Sequence, residues 1–355
     1  MEINFRMLSL ARETRGLTQS QLVDKVENLT QGNYSRMEKG LLPIPSDTLN
    51  NLSQILNYPL SFFMNNKFMN KSVEYFYRKR LTMPKKIQIR MEANFDVLRI
   101  WIETLLNEVE LPEFLISQIE VEGNNSPEEI ARKSRFLLGL DRGPIDKLIS
   151  IVEKNGIVVY PLKDAPAKFD GTTIVTFTGQ IVVILNDNMP NYRKRFTLAH
   201  ELGHIIMHLP FSPIVDSYRD VETEANRFAS EFLMPEFDIR RDLAGITYGG
   251  LSVVKSYWMV SKAAIIHRAF DLKYISNSKY TSMMIELSRQ GERRAENLDV
   301  YLDSPQIIKQ TIDVYKNHLN YTDEEIIEIL SISSEDFKQL FLESDATNIR
   351  KIRVL

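Results

Sequence analysis

Cysteine is absent from the 355 residues, which excludes disulfides and thiolate metal ligands. Histidine is scarce at five residues and tryptophan scarcer at two. Long apolar runs are missing too. The densest, Ile181-Val182-Val183-Ile184-Leu185, falls far short of the ~20 residues that a membrane-crossing helix needs. Met1-Glu2-Ile3-Asn4 lacks the basic-then-apolar order of a signal peptide. Neither sign of charge dominates. Lys and Arg number 44 against 47 Asp and Glu, a formal net charge of -3, so any surface for nucleic acid must be local. These absences lead us to expect a cytoplasmic protein with no membrane partner. What remains is 43% apolar and 26% charged residues, enough for ordinary cores, over a length that suits two or three domains.

Two of the five histidines stand four apart, in His200-Glu201-Leu202-Gly203-His204. Residues i and i+4 share a helix face, so both imidazoles can reach one metal ion. Glu201 can then act as general base toward a water beside that ion. Arg195 to Ala199 and Ile205 to Met207 continue the helix, with no proline before Pro210. Catalytic zinc usually takes three protein ligands. His208 is the nearest candidate for the third, but eight residues from His200 is about 80° around a straight helix, so it is expected to point away, near free carbonyls at the helix end.

A second helix, Val221 to Met234, stops at Pro235. It offers Glu222 or Glu224 as third ligand. Glu222 is preferred because Asn226 lies four residues on and can orient a ligand histidine from the same face; Glu224 stays open. Zinc, one ion per chain, is the expected cofactor, although manganese and iron accept the same two nitrogens and one oxygen.

Arg195-Phe196-Thr197-Leu198-Ala199-His200-Glu201-Leu202-Gly203-His204, then Glu222-x-Glu224-Ala225-Asn226-x-Phe228-Ala229 and Phe232-Leu233-Met234-Pro235, resembles the ImmA/IrrE metallopeptidases over about residues 70 to 300. Lys168-Phe169-Asp170-Gly171, Trp258-x-Val260-Ser261 and His267-Arg268-Ala269 add to the likeness. The resemblance implies a zincin-like fold in which His200, His204 and Glu222 bind metal and Glu201 is the base. It also implies a substrate, a DNA-binding repressor whose cleavage releases stress or mobile-element genes. Tyr218 and His267 are candidate transition-state donors, each more naturally a core aromatic; His318 is expected on the surface.

Residues 1–65 carry four short helical segments. Thr18-Gln19-Ser20-Gln21 is a capping box, and Thr30 to Lys39 is a helix stopped at Gly40. Leu17-Thr18-Gln19 and Ser35-Arg36-Met37-Glu38-Lys39-Gly40 resemble the phage-repressor (XRE, Cro-like) helix-turn-helix family. That resemblance sends the third helix into the major groove of operator DNA. Gln31, Asn33, Tyr34 and Arg36 are the expected exposed readers, with Gln19 and Lys39 on phosphates. Two-fold operators point to a homodimer. Residues 66–125 form a basic, then helical linker. Lys67, Lys71, Arg78, Lys79, Arg80, Lys85, Lys86 and Arg90 interleave there with Tyr75, Phe76 and Tyr77. They can follow a DNA backbone or simply be solvated.

A long helix is expected over 86–120, a capped one from Ser126, and another from Pro144 to Lys154. Ile157 to Tyr160 reads as a strand, and Thr172 to Phe177 with Ile181 to Leu185 as a hairpin around Gly179. The expected class is therefore α+β. An all-α helix-turn-helix domain precedes a peptidase domain at 126–273, with a small mixed sheet backed by helices, and a helical region at 274–355 follows. The last region is acidic, through Asp323, Glu324, Glu325, Glu328, Glu335, Asp336 and Glu343, and suits packing, a partner or a lid better than DNA. The leading function is a zinc endopeptidase joined to a DNA-binding module and acting on a repressor-type protein. The alternative is a transcription regulator whose metal fold senses a metal or ligand without turnover.

Overall fold

The computed structural model describes residues 3–66, 83–114, 118–140, 142–209, 219–293 and 295–342. Most of the basic linker (Lys67, Lys71, Tyr75 to Arg80), Tyr218, and the terminal Arg350, Lys351 and Arg353 lie outside the described residues.

The chain begins with α1 (Phe5–Thr14), α2 (Gln19–Val23), α3 (Gln31–Glu38) and α4 (Ser46–Leu56). Thr18 and Gln21 form the reciprocal capping box of α2, and the Thr30 hydroxyl caps α3. The helices close over Met7, Leu8, Leu22, Leu52 and Phe62. A polar clasp ties three of them. Arg12 of α1 donates to Glu38 of α3 at 2.8 Å, and Gln19 of α2 donates to the same carboxylate at 2.6 Å. Gln31, Asn33, Arg36 and Lys39 are exposed. Tyr34 is not, which corrects its reading as an exposed base reader: it is 0% exposed. Tyr34 lies four residues before Glu38, so both sit on the face that turns toward Arg12.

The next helix, α5 (Lys85–Leu106), ends well short of residue 120. Pro112 cannot donate and disfavours a helical residue before it, while Glu108 and Glu110 put negative charge where the helix dipole is already negative. Nor is α5 a solvated tether. Phe95, Leu98, Ile102 and Leu105 are buried in a core shared with α1 and with α14 (Ile307–Asn317), α15 (Asp323–Leu330) and α16 (Ser334–Phe337).

Then come α6 (Pro127–Leu137), capped by Ser126, and α7 (Leu148–Lys154), which starts four residues later than expected. The sheet has three strands in the order β1 (Ile157–Leu162), β3 (Ile181–Asn186), β2 (Gly171–Val175). Strand β1 runs parallel to β3 and β2 antiparallel to it, with Val159 opposite Val183 and Thr173 opposite Val183 on the other side. Alternate residues divide between two cores, as a strand's period of two requires. Val158, Tyr160, Val182 and Ile184 face the first core with α5, and Ile157, Val159, Val183 and Leu185 face the second.

The second core holds α6 to α13: α8 (Asn191–Met207), α9 (Val221–Leu233), α10 (Glu236–Leu243), α11 (Leu251–Trp258), α12 (Lys262–Asp271) and α13 (Asn277–Arg289). Inside it, Glu231 of α9 is 1% exposed and accepts from Arg132 of α6 at 3.0 Å and from Arg268 of α12. A buried carboxylate is tolerable there because two guanidiniums hold it. No helix among the described residues is long and apolar enough to cross a membrane.

Candidate metal centre

Two helices, α8 and α9, build the centre, and α8 lies against β2 and β3. Two glycines let the elements close. A Cβ on Gly203, inside the His200–His204 turn, would stand 3.0 Å from the Phe228 ring of α9. A Cβ on Gly171 would stand 2.7 Å from Thr197 of α8. Helix and strand therefore approach more closely than side chains at these positions would allow.

His200, His204 and Glu222 converge, with one ligand atom from each lying within 4.8 Å of the others. The two Nε2 atoms are 3.1 Å apart, and each is 3.6 Å from a Glu222 oxygen. The opposite ring nitrogens are tied off. His200 Nδ1 meets Asn226 Oδ1 at 3.0 Å, and His204 Nδ1 meets His208 Nδ1 at 2.9 Å. His208 Nε2 meets Glu224 at 2.8 Å, and Glu224 is gripped by Arg219 at 2.7 and 3.1 Å.

These partners fix where the ring protons sit. Burial pulls His208 down to about 4, against the pull of Glu224, so at neutral pH its ring has one proton. The Glu224 carboxylate can only accept, so that proton is on His208 Nε2. His208 Nδ1 must then accept from His204 Nδ1–H, which leaves the His204 Nε2 lone pair turned to the centre. The Asn226 oxygen does the same for His200. Two lone pairs 3.1 Å apart repel unless a cation lies between them. With protons as the only cations, His200 is held above its ordinary value, burial notwithstanding, by its hydrogen bond to Glu222 and the charges of Glu201 and Glu222. Glu222 is correspondingly far below the carboxylate range: burial opposes this, but its bonds to both histidines prevail. Two imidazole nitrogens and one carboxylate fit a divalent ion such as zinc.

Glu201 is 4% exposed and accepts from the Thr173 hydroxyl of β2 at 2.7 Å through Oε2. Oε1 has no partner among the described residues.

Residues 152–270 match the family model of Peptidase_M78, the IrrE N-terminal-like domain. The match supports the ImmA/IrrE resemblance for this segment and points to a metallopeptidase-like domain with a metal. The IrrE N-terminal-like segment contains the sheet, α8 and α9, hence every residue of the centre, and leaves out α1 to α6 and α13 to α16. No curated protein gives a significant match to the chain.

The geometry brings His200, His204, Glu222 and Asn226 together and separates the two candidate glutamates. Glu222 faces the histidine pair, while Glu224 serves His208. His208 corrects the expectation that it points away. It is four residues from His204, so it stands on the His204 side of α8, 1% exposed, with its ring 5.0 Å from that of His204. The i, i+4 spacing from His204 was the available signal. Thr173 carries no sequence signal at all, since only sheet packing brings β2 to α8. His267 is exposed with its ring against Tyr280, and His318 is exposed. Replacing His208 with Ala should weaken zinc binding roughly 10- to 100-fold by freeing the His204 tautomer and ring. Competition with a chromophoric chelator measures this; unchanged affinity would mean that His208 only fills space.

Proposed function

We propose that this chain is a DNA-binding transcription regulator joined to a zinc-dependent endopeptidase, which cuts a repressor-type protein. The observation that carries the peptidase half is the convergence of His200, His204 and Glu222, beside a buried Glu201 that is held by Thr173 and whose charge acts on His200. A divalent ion held by His200, His204 and Glu222 would polarise a peptide carbonyl and acidify the water beside it. Thr173 fixes Glu201 Oε2, so Oε1 is the oxygen that takes the proton of the attacking water and returns it to the leaving amine.

The DNA half is supported by the exposed side chains of α3. Gln31 donates to Gln19 Oε1 at 2.8 Å, and Gln19 donates in turn to Glu38. Gln31 is thus held in place before any base is met, which lowers the ordering cost of a contact. Asn33 and Arg36 stand beside it for base edges, and Lys39 for a phosphate.

The full chain tests both halves. Purified protein should carry close to one zinc per chain and cleave a regulator encoded beside it, with cleavage stopped by a chelator and restored by zinc. Footprinting next to its own coding region should give a protected site that Arg36→Ala weakens by roughly 1–3 kcal/mol. Protein that holds no divalent metal removes the peptidase reading; absence of any footprint removes the operator reading.

A further inference from the structure

A cavity of about 360 Å³ lies outside the metal centre, where the first core meets the sheet. Its walls come from the N-terminal unit, α5, the end of β1 with the loop after it, and the C-terminal segment from Asp336 to Phe341. The size is in the range of small-molecule sites. Five aromatic rings, Tyr58, Phe95, Trp101, Tyr160 and Phe341, stand among aliphatic and polar groups in the lining.

The polar groups on these walls divide into spent and unspent. Arg15 donates twice to Asp336, at 2.7 and 3.4 Å, so those charges cancel. Asp164 accepts from Gln339 at 2.8 Å, and Lys163 reaches the Gln339 carbonyl at 3.5 Å. Arg90 differs. Its Nε donates to the Thr14 carbonyl at 3.1 Å, which anchors the side chain, while its two terminal nitrogens have no partner among the described residues. The Asn94 side-chain amide likewise has no partner among the described residues. Arg90 and Asn94 both line the cavity and stand one helical turn apart on α5, so their donors can meet one anion.

We infer that this cavity binds a small amphipathic carboxylic acid. The carboxylate takes the terminal nitrogens of Arg90 and the amide of Asn94, and the apolar body lies among the aromatic rings. A guanidinium matches a carboxylate in charge and in fork geometry, and flat rings accept a flat apolar body. Such a ligand touches the N-terminal unit, α5, the sheet and the C-terminal helices at once. Its binding therefore favours whichever packing of these elements it fits best.

Calorimetry on the full, metal-loaded chain tests this with 2-naphthoate and its neutral counterpart 2-naphthalenemethanol as probes. Wild type should bind 2-naphthoate saturably at one per chain. Arg90→Gln, at an exposed position, should weaken 2-naphthoate roughly tenfold or more and 2-naphthalenemethanol less than about twofold. Asn94→Trp, which puts an indole into the cavity, should lose both probes. The inference is overturned if wild type shows no saturable binding or if Arg90→Gln treats the two probes alike. It is equally overturned if binding survives Asn94→Trp, which would assign the carboxylate to another site such as the metal centre.

Discussion

Glu201→Gln should lower peptide-bond hydrolysis by roughly 10²- to 10⁴-fold while leaving zinc in place. The substitution is close to isosteric. A glutamine oxygen can still accept from Thr173, so the 2.7 Å hydrogen bond that orients the side chain survives. What disappears is the ability to take a proton. Glu201 is not among the three residues that converge on the metal position, so metal content should stay near one per chain. Paired measurements of substrate cleavage and bound zinc decide the matter. Cleavage that persists at the wild-type rate would remove the hydrolase assignment and leave the regulator that senses without turnover.

Glu222→Ala should weaken zinc binding roughly 10²- to 10³-fold. Complete structural zinc sites are worth about 10–16 kcal/mol, so one ligand of a few accounts for ~3–4 kcal/mol of it. Glu222 also supplies the negative charge that offsets the cation, with oxygens 3.6 Å from both Nε2 atoms. Glu224→Ala should act one step removed. It frees the His208 ring, then His204, and should cost about 10- to 100-fold. Chelator competition on both variants gives the order. A larger loss for Glu224→Ala would reverse the assignment of the third ligand.

The helix N-caps show which parts of this molecule are legible in the sequence. Thr18 with Gln21, Thr30 and Ser126 satisfy backbone donors a few residues away, so the start of each helix is a local matter. The His200–His204 pair is local in the same sense, because four residues on a helix are always one turn. Tyr34 shows the opposite. Whether it faced DNA or the core depended on where α1 packed, and no spacing within α3 states that. The same holds for α5, whose polar N-terminal turn reads as a tether although most of the helix is buried.

The sequence by itself determined the candidate metal-ligand types, the α+β character and the hairpin around Gly179, because each follows from short-range periodicity and turn chemistry. Only the tertiary structure placed Glu222, and not Glu224, beside the histidine pair; the two differ by about 200° around α9 and so face different neighbours. It alone brought Thr173 to Glu201, and it made His208 the partner of His204. Those choices depend on how closely α8, α9 and β2 approach, a distance set by packing at Gly203 and Gly171 between segments far apart in the chain.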